Sequence, residues 1–203
     1  MEKTLALGNS FAAQSFPDSN GKSWNWNDTT YSAGNPLIGN PLIINSYATE
    51  VNSSGNRVIA MIYYANCSNF PQRMSYNTVF FVKKDAGQNT GTLYRRTIIP
   101  TPSTACDDPI KIEQKTSCDT APTGCTVRDA VIATNVTGFT VQYFAVSDGA
   151  TPDTSPSATA FPTYKTVTVS ITTTAGVGTT QTSVTNSLME KLKSNCFVSK
   201  SDL

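Results

Sequence analysis

Histidine is absent from all 203 residues of this chain. That absence removes the commonest general base, the usual proton shuttle and the commonest zinc ligand together. Ser-His and Cys-His nucleophile pairs therefore cannot be built. Charge is scarce as well: Asp, Glu, Lys and Arg make up 14%, against about 25% in soluble domains generally. The formal net charge is +1, and basic residues stand singly or in pairs such as Lys83-Lys84 and Arg95-Arg96, so no face is marked for nucleic acid or an anionic membrane. No apolar run approaches the roughly 18 residues of a membrane span, and the stretch 1–13 is too short and too polar to be one.

Serine, threonine and asparagine crowd nearly every segment, so neutral polar groups carry the solubility. The length suits one domain, 1–203, burying about 70% of the surface its unfolded chain exposes. Five cysteines stand at Cys67, Cys106, Cys118, Cys125 and Cys196, without the paired C-x2-C spacing of a zinc site. Disulfides are the better reading, and with them an oxidising compartment. Cys118 and Cys125 bracket a short Pro/Gly loop that one bridge would clip, while Cys67, Cys106 and Cys196 compete for a second.

Along the chain, residues 1–14 place Leu5, Leu7, Phe11 and Ala12 at spacings compatible with one helical face, and Asp18-Ser-Asn-Gly21 supplies the turn that ends it. Residues 1–20 are expected to be the end of an N-terminal helix and its turn. Residues 21–203 would then form a β-rich head. The stretch 23–45 carries a tandem pair, Gly34-Asn-Pro-Leu-Ile38 and Gly39-Asn-Pro-Leu-Ile43, and reads as an irregular wrapping segment with short strands at best. Strand candidates follow at 58–64, 78–82, 93–99, 131–136, 139–146 and 167–173, rich in β-branched and aromatic residues. The polar linker 83–91 fits a hairpin, and the alternation of Val167, Val169 and Ile171 with hydroxyl residues fits a sheet with one wet face. Residues 100–126 and 152–162 form long loops. Val184, Leu188 and Leu192 at i, i+4 and i+8 predict a short amphipathic helix over 182–194. The expected class is α+β: an N-terminal helix packed on an antiparallel sheet with long, disulfide-pinned loops.

Candidate chemistry is thin, and no catalytic residue or cofactor is expected. Ser19-Asn-Gly-Lys22 matches the S-x-x-K spacing of Ser-Lys nucleophiles without their partner motifs. Asp107-Asp108 is a carboxylate pair whose adjacent side chains point apart. Asp148–Asp153 and Asp85–Asn89 have the oxygen-rich, Gly-bent look of weak calcium loops without the ligand ladder of an EF-hand. Trp24 and Trp26 flank Asn25, which makes them either a surface platform for a glycan or partner, or core residues. Sequons at Asn27, Asn52, Asn66 and Asn135 would accept glycans in a eukaryotic secretory route.

Three stretches carry a family likeness: Thr92-Leu-Tyr-Arg-Arg-Thr97, Arg128-Asp-Ala-Val-Ile-Ala-Thr-Asn-Val-Thr-Gly-Phe-Thr-Val-Gln-Tyr-Phe144, and Lys165-Thr-Val-Thr-Val-Ser-Ile-Thr-Thr173. In that order, around a cysteine-bearing excursion, they resemble the globular half of minor type IV pilins and type II secretion pseudopilins. The resemblance covers about the second half of the chain; the prepilin cleavage motif, its following glutamate and the apolar stem are not in this sequence. It implies a non-catalytic subunit, membrane-anchored before assembly, that packs against other pilin subunits or caps an extracellular fibre, with a host or surface ligand as a further partner. Residues 1–14 would be the soluble end of the pilin helix. A free-standing surface adhesin or glycan-binding module is the alternative.

Overall fold

The computed structural model describes residues 8–32, 34–62, 72–100, 112–119, 125, 127–145, 151–177 and 180–191. Its body is one seven-stranded antiparallel sheet made of β1 (Ser10–Phe11), β2 (Leu42–Tyr47), β3 (Ser75–Lys84), β4 (Gly91–Ile98), β5 (Ala130–Phe144), β6 (Thr166–Val177) and β7 (Thr180–Lys191). Spatial order equals chain order from β1 to β7. Short ribbons fill the connections, among them Gln14–Pro17 with Ser23–Asn25, Thr30–Ser32 with Asn35–Pro36, and Thr49–Val51 with Arg57–Ile59.

This corrects the α+β expectation. Among the described residues the only helical element is the 3-10 turn Phe161–Thr163. Residues 10–11 and 14–17, assigned above to a helix and its turn, are extended, with Phe11 paired to Ile44 of β2 and buried in the core. The spacing that suggested a helix places Phe11 and Ala12 on opposite sides of an extended chain, where they join different clusters. The C-terminal helix is likewise a strand, β7, pairing residue by residue with β6 from Thr166↔Lys191 to Val177↔Thr180. A repeat of four suits both periods: Val184 and Leu188 share a helix face, and being an even number apart they also share a strand face. The Thr/Ser/Val content and the partner β6 decide for strand. Residues 1–7 and 192–203 lie outside the described residues, as do Cys67, Cys106 and Cys196.

The strands form because their side chains serve two cores. β3 is buried from Asn77 to Val82, with Phe80 and Val82 in one cluster and Val79 and Phe81 in another. β2 does the same with Leu42 and Ile44 against Ile43. Such a doubly covered strand shows no alternation, so Leu42, Ile43 and Ile44 carry no strand period in the sequence, and the expected irregular wrapping over 23–45 gives way here to a strand. Toward β6 and β7 only one face stays dry. Val167 and Val169 are buried, while Thr168, Ser170 and Thr172 are half-buried. Hydroxyl pairs Ser170–Ser187 at 2.7 Å and Thr172–Thr185 at 2.8 Å cross the wet face.

β5 is one strand of 15 residues where the sequence suggested two, separated at Thr137-Gly138. Its pairing shifts register near Leu93 against β4 and between Val136 and Gly138 against β6, and Asn135 sits at φ 55, a conformation that asparagine tolerates. These irregularities bend the strand without ending it. Ala133, Val136 and Phe139 thereby all face the larger core.

Gly39 has φ +71, and a Cβ there would lie 1.8 Å from the carbonyl oxygen of Phe139. The wrapping segment touches β5 backbone to backbone at this point. Gly39→Ala is expected to lower unfolding free energy by about 3 kcal/mol or more. Gly55→Ala, with φ +78 but open space around it, should cost only about 1–2 kcal/mol for the left-handed backbone. Urea denaturation of both variants measures the difference.

Candidate functional site

Arg96 of β4 points away from the larger core into a space closed by the N-terminal wrap. Its Nη1 donates to Asp18 Oδ2 at 2.7 Å, its Nη2 to Asp129 Oδ2 at 2.7 Å, and its Nε to both Asp129 oxygens at 3.1 and 3.2 Å. Nη2 also reaches the Tyr31 hydroxyl at 3.0 Å. The rings of Trp24, Tyr31 and Phe81 stand 5.4–5.6 Å from the guanidinium carbon, within cation–π range.

Local structure fixes each partner. Asp18 opens a turn whose Oδ1 accepts the Asn20 and Lys22 amides, and its Oδ2 also accepts Trp24 Nε1 at 3.3 Å. Asp129 accepts the Ser117 hydroxyl at 2.8 Å, and its amide donates to the Cys118 carbonyl. Cys118 and Cys125 are joined by a disulfide with Cα atoms 6.2 Å apart, and Ser117–Cys118 pairs in parallel with Val127–Arg128. The bridge anticipated from the Pro/Gly loop thus fastens the segment that delivers Asp129. Tyr31 extends the network to Asp119, which lies 3.5 Å from Lys83.

The side chains of Arg96, Asp18 and Asp129 are only 1–2% exposed, so no substrate reaches them and the hub is structural. Burial alone pulls the Arg96 pKa down, but the hydrogen bonds and charge of Asp129, with Tyr31, outweigh it and leave the guanidinium above its ordinary value. Burial, helped by Asp119, pushes Tyr31 up to about 12, against the pull of Arg96. Asp119 is itself held below the usual carboxylate range, because Tyr31, Lys83 and Arg96 overcome the effect of burial.

The sequence-derived candidates fare differently. Trp24 is fully buried against Phe81, 4.4 Å between centroids, so it is not a surface-binding aromatic. Trp26 is half-buried on the other core, 5.4 Å from Phe161. The chain turns between them, and they form no shared platform. The Lys22 ammonium donates to the carbonyls of Thr30 and Tyr31, so it is not poised as a base for Ser19. Asp107, Asp108 and residues 146–150 lie outside the described residues; Asp153 accepts the Tyr164 hydroxyl and the Ser155 amide. Asp85–Asn89 is the β3–β4 turn and lines a cleft of about 450 Å³ with residues 34–36. Among the described residues no group of three or more Cys, Asp or Glu gathers there or elsewhere.

A second, smaller pocket of about 190 Å³ is lined by Tyr76 and Thr78 of β3, Arg95 and Thr97 of β4, and Gln114 and Lys115. Thr78 and Thr97 are direct cross-strand partners. Sequence reasoning missed it, because its parts come from three separated stretches. Period-two spacing in Tyr76/Thr78 and Arg95/Thr97 was the available signal.

Compared with known proteins, the chain matches no family model, no curated protein and no solved structure.

Two outcomes follow from the hub and its tyrosines. Arg96→Met should destabilise by about 3–5 kcal/mol by leaving two buried carboxylates unpaired, whereas adding Asp18→Asn and Asp129→Asn to it should recover part of that loss; thermal and urea unfolding of the single and triple variants compare them. Tyr31 and Tyr164 are both pushed up to about 12 and Tyr143 is raised too, each chiefly by burial. The folded state holds those protons more tightly than the unfolded chain, so their stabilisation is complete below about pH 10 and lost as pH rises toward 12. In an alkaline titration, the tyrosinate absorbance of Tyr31, Tyr143 and Tyr164 should rise only late and together with loss of circular dichroism, and Tyr31→Phe should reduce that late step.

Proposed function

We propose that this chain is the head of a minor pilin or pseudopilin: a non-catalytic subunit that assembles into, or caps, an extracellular type IV pilus-like fibre. One observation carries the reading. The three stretches with the family likeness fall on β4, β5 and β6, consecutive hydrogen-bonded strands, so they describe one continuous half of a sheet. Further support comes from the hydroxyl-rich strands at that end of the sheet, where β5 exposes Val131 and Ile132 and the neighbouring β7 exposes Val184 and Met189 as apolar material for contacts between subunits. The proposed location is the cell surface, with membrane anchorage before assembly through a segment preceding the head. Among the described residues no helix is long and apolar enough to cross a membrane.

A free-standing adhesin is the second reading, favoured by the cationic pocket at Arg95 and Lys115. Epitope-tagged full-length protein in its native cells separates the two. A fibre subunit is expected to sediment with sheared surface filaments and to depend on prepilin processing. Tagged protein found only on cells or in solution, unaffected by loss of the processing enzyme, sinks the fibre reading.

A further inference from the structure

The pocket at the end of β3 and β4 holds two cationic side chains, Arg95 and Lys115. Among the described residues Arg95 and Lys115 form no ion pair, although both are exposed and line the same small cavity. The carboxylate two residues before Lys115 does not neutralise them: Glu113 is taken by Arg57 at 2.7 Å and by the Thr49 hydroxyl at 2.6 Å. The hydroxyl-bearing residues Tyr76, Thr78 and Thr97 line the same cavity.

The wall that carries Lys115 is pinned on both sides. Gln114 exchanges two hydrogen bonds with Thr49, its oxygen accepting the amide and its nitrogen donating to the hydroxyl, both at 2.9 Å. Beyond Lys115, Thr116 accepts the Ile99 amide at 3.2 Å and Ser117 accepts the Thr97 amide at 3.0 Å. A cavity held this way loses little freedom on binding, which favours even a small ligand.

We infer that this pocket binds the carboxylate-bearing sugar residue of an acidic glycan. An arginine fork and an ammonium lining one cavity suit a carboxylate, and a wall of Tyr76, Thr78, Thr97 and Gln114 suits the hydroxyls of a sugar better than an apolar side chain. At about 190 Å³ the site is smaller than the ~300–1,000 Å³ that encloses a whole drug-sized ligand, so it takes one unit of a longer chain. The inference goes beyond the fibre reading and holds whether the head sits on a filament or stands alone.

The test is an NMR titration of the isotope-labelled chain with glucuronate, with glucose, acetate and tri-aspartate as comparison probes. Glucuronate is expected to shift the amides of Arg95, Thr97, Gln114 and Lys115 at millimolar concentration. Glucose should leave them in place, and acetate should bind more weakly. Arg95→Met and Lys115→Met should each weaken glucuronate binding at least about tenfold, the loss of one charge-assisted hydrogen bond, with unfolding midpoints unchanged because both side chains are exposed. Equal responses to glucuronate and glucose, or undiminished binding by both variants, overturn the site. Acetate matching glucuronate, or tri-aspartate exceeding it, overturns its assignment to a sugar.

Discussion

The molecule depends on one ion cluster, Arg96 with Asp18 and Asp129. A guanidinium enclosed this completely is tolerable only if its donors find acceptors, because the desolvation of an unpaired buried charge outweighs any packing gain. The acceptors come from far apart in the chain: Asp18 lies 78 residues before Arg96 and Asp129 lies 33 after it. Satisfying one side chain therefore ties the N-terminal wrap, the fourth strand and the disulfide-clipped loop into one arrangement. The aromatic lid of Trp24, Tyr31 and Phe81 keeps water from substituting for any of the three.

That cluster explains why a sheet so poor in charge is nonetheless specific. Apolar burial holds the larger core around Phe80, Val136, Phe139 and Tyr143 together, but burial is non-directional and would accept several wraps. Directional bonds to Arg96 choose among them, and Gly39 against the Phe139 carbonyl admits the chosen path. Farther along, where β6 and β7 have only one dry face, cross-strand hydroxyl pairs take over the role that side-chain packing plays in the middle of the sheet.

The sequence made β3, β4 and β6 visible, because Val167, Val169 and Ile171 alternate and the 83–91 linker has hairpin chemistry, and it showed β5 as two pieces. It hid β2, whose Leu42, Ile43 and Ile44 are apolar without a period since both faces are covered. It misdirected the C-terminal segment, because the four-residue repeat of Val184 and Leu188 serves either period. β1 was hidden for a related reason: a two-residue strand has no periodicity of its own and exists only through Asn45 and Ile44. The disulfide was legible from local spacing. Arg96 was not, since nothing local distinguishes it from Arg95, and strand parity sends one to the hub and the other to the pocket.

The identity of chain order and sheet order bears on how the protein is made. Each strand, as synthesis releases it, meets a partner that has already emerged, so the sheet can grow from one side without waiting for a distant segment, and the loop-closure cost of each addition is met in turn. The exception is Arg96, which must wait for Asp129 before its charge is fully answered. Until the chain has passed that point, the first four strands carry an open ionic bond, and the growing molecule has a built-in checkpoint between its halves.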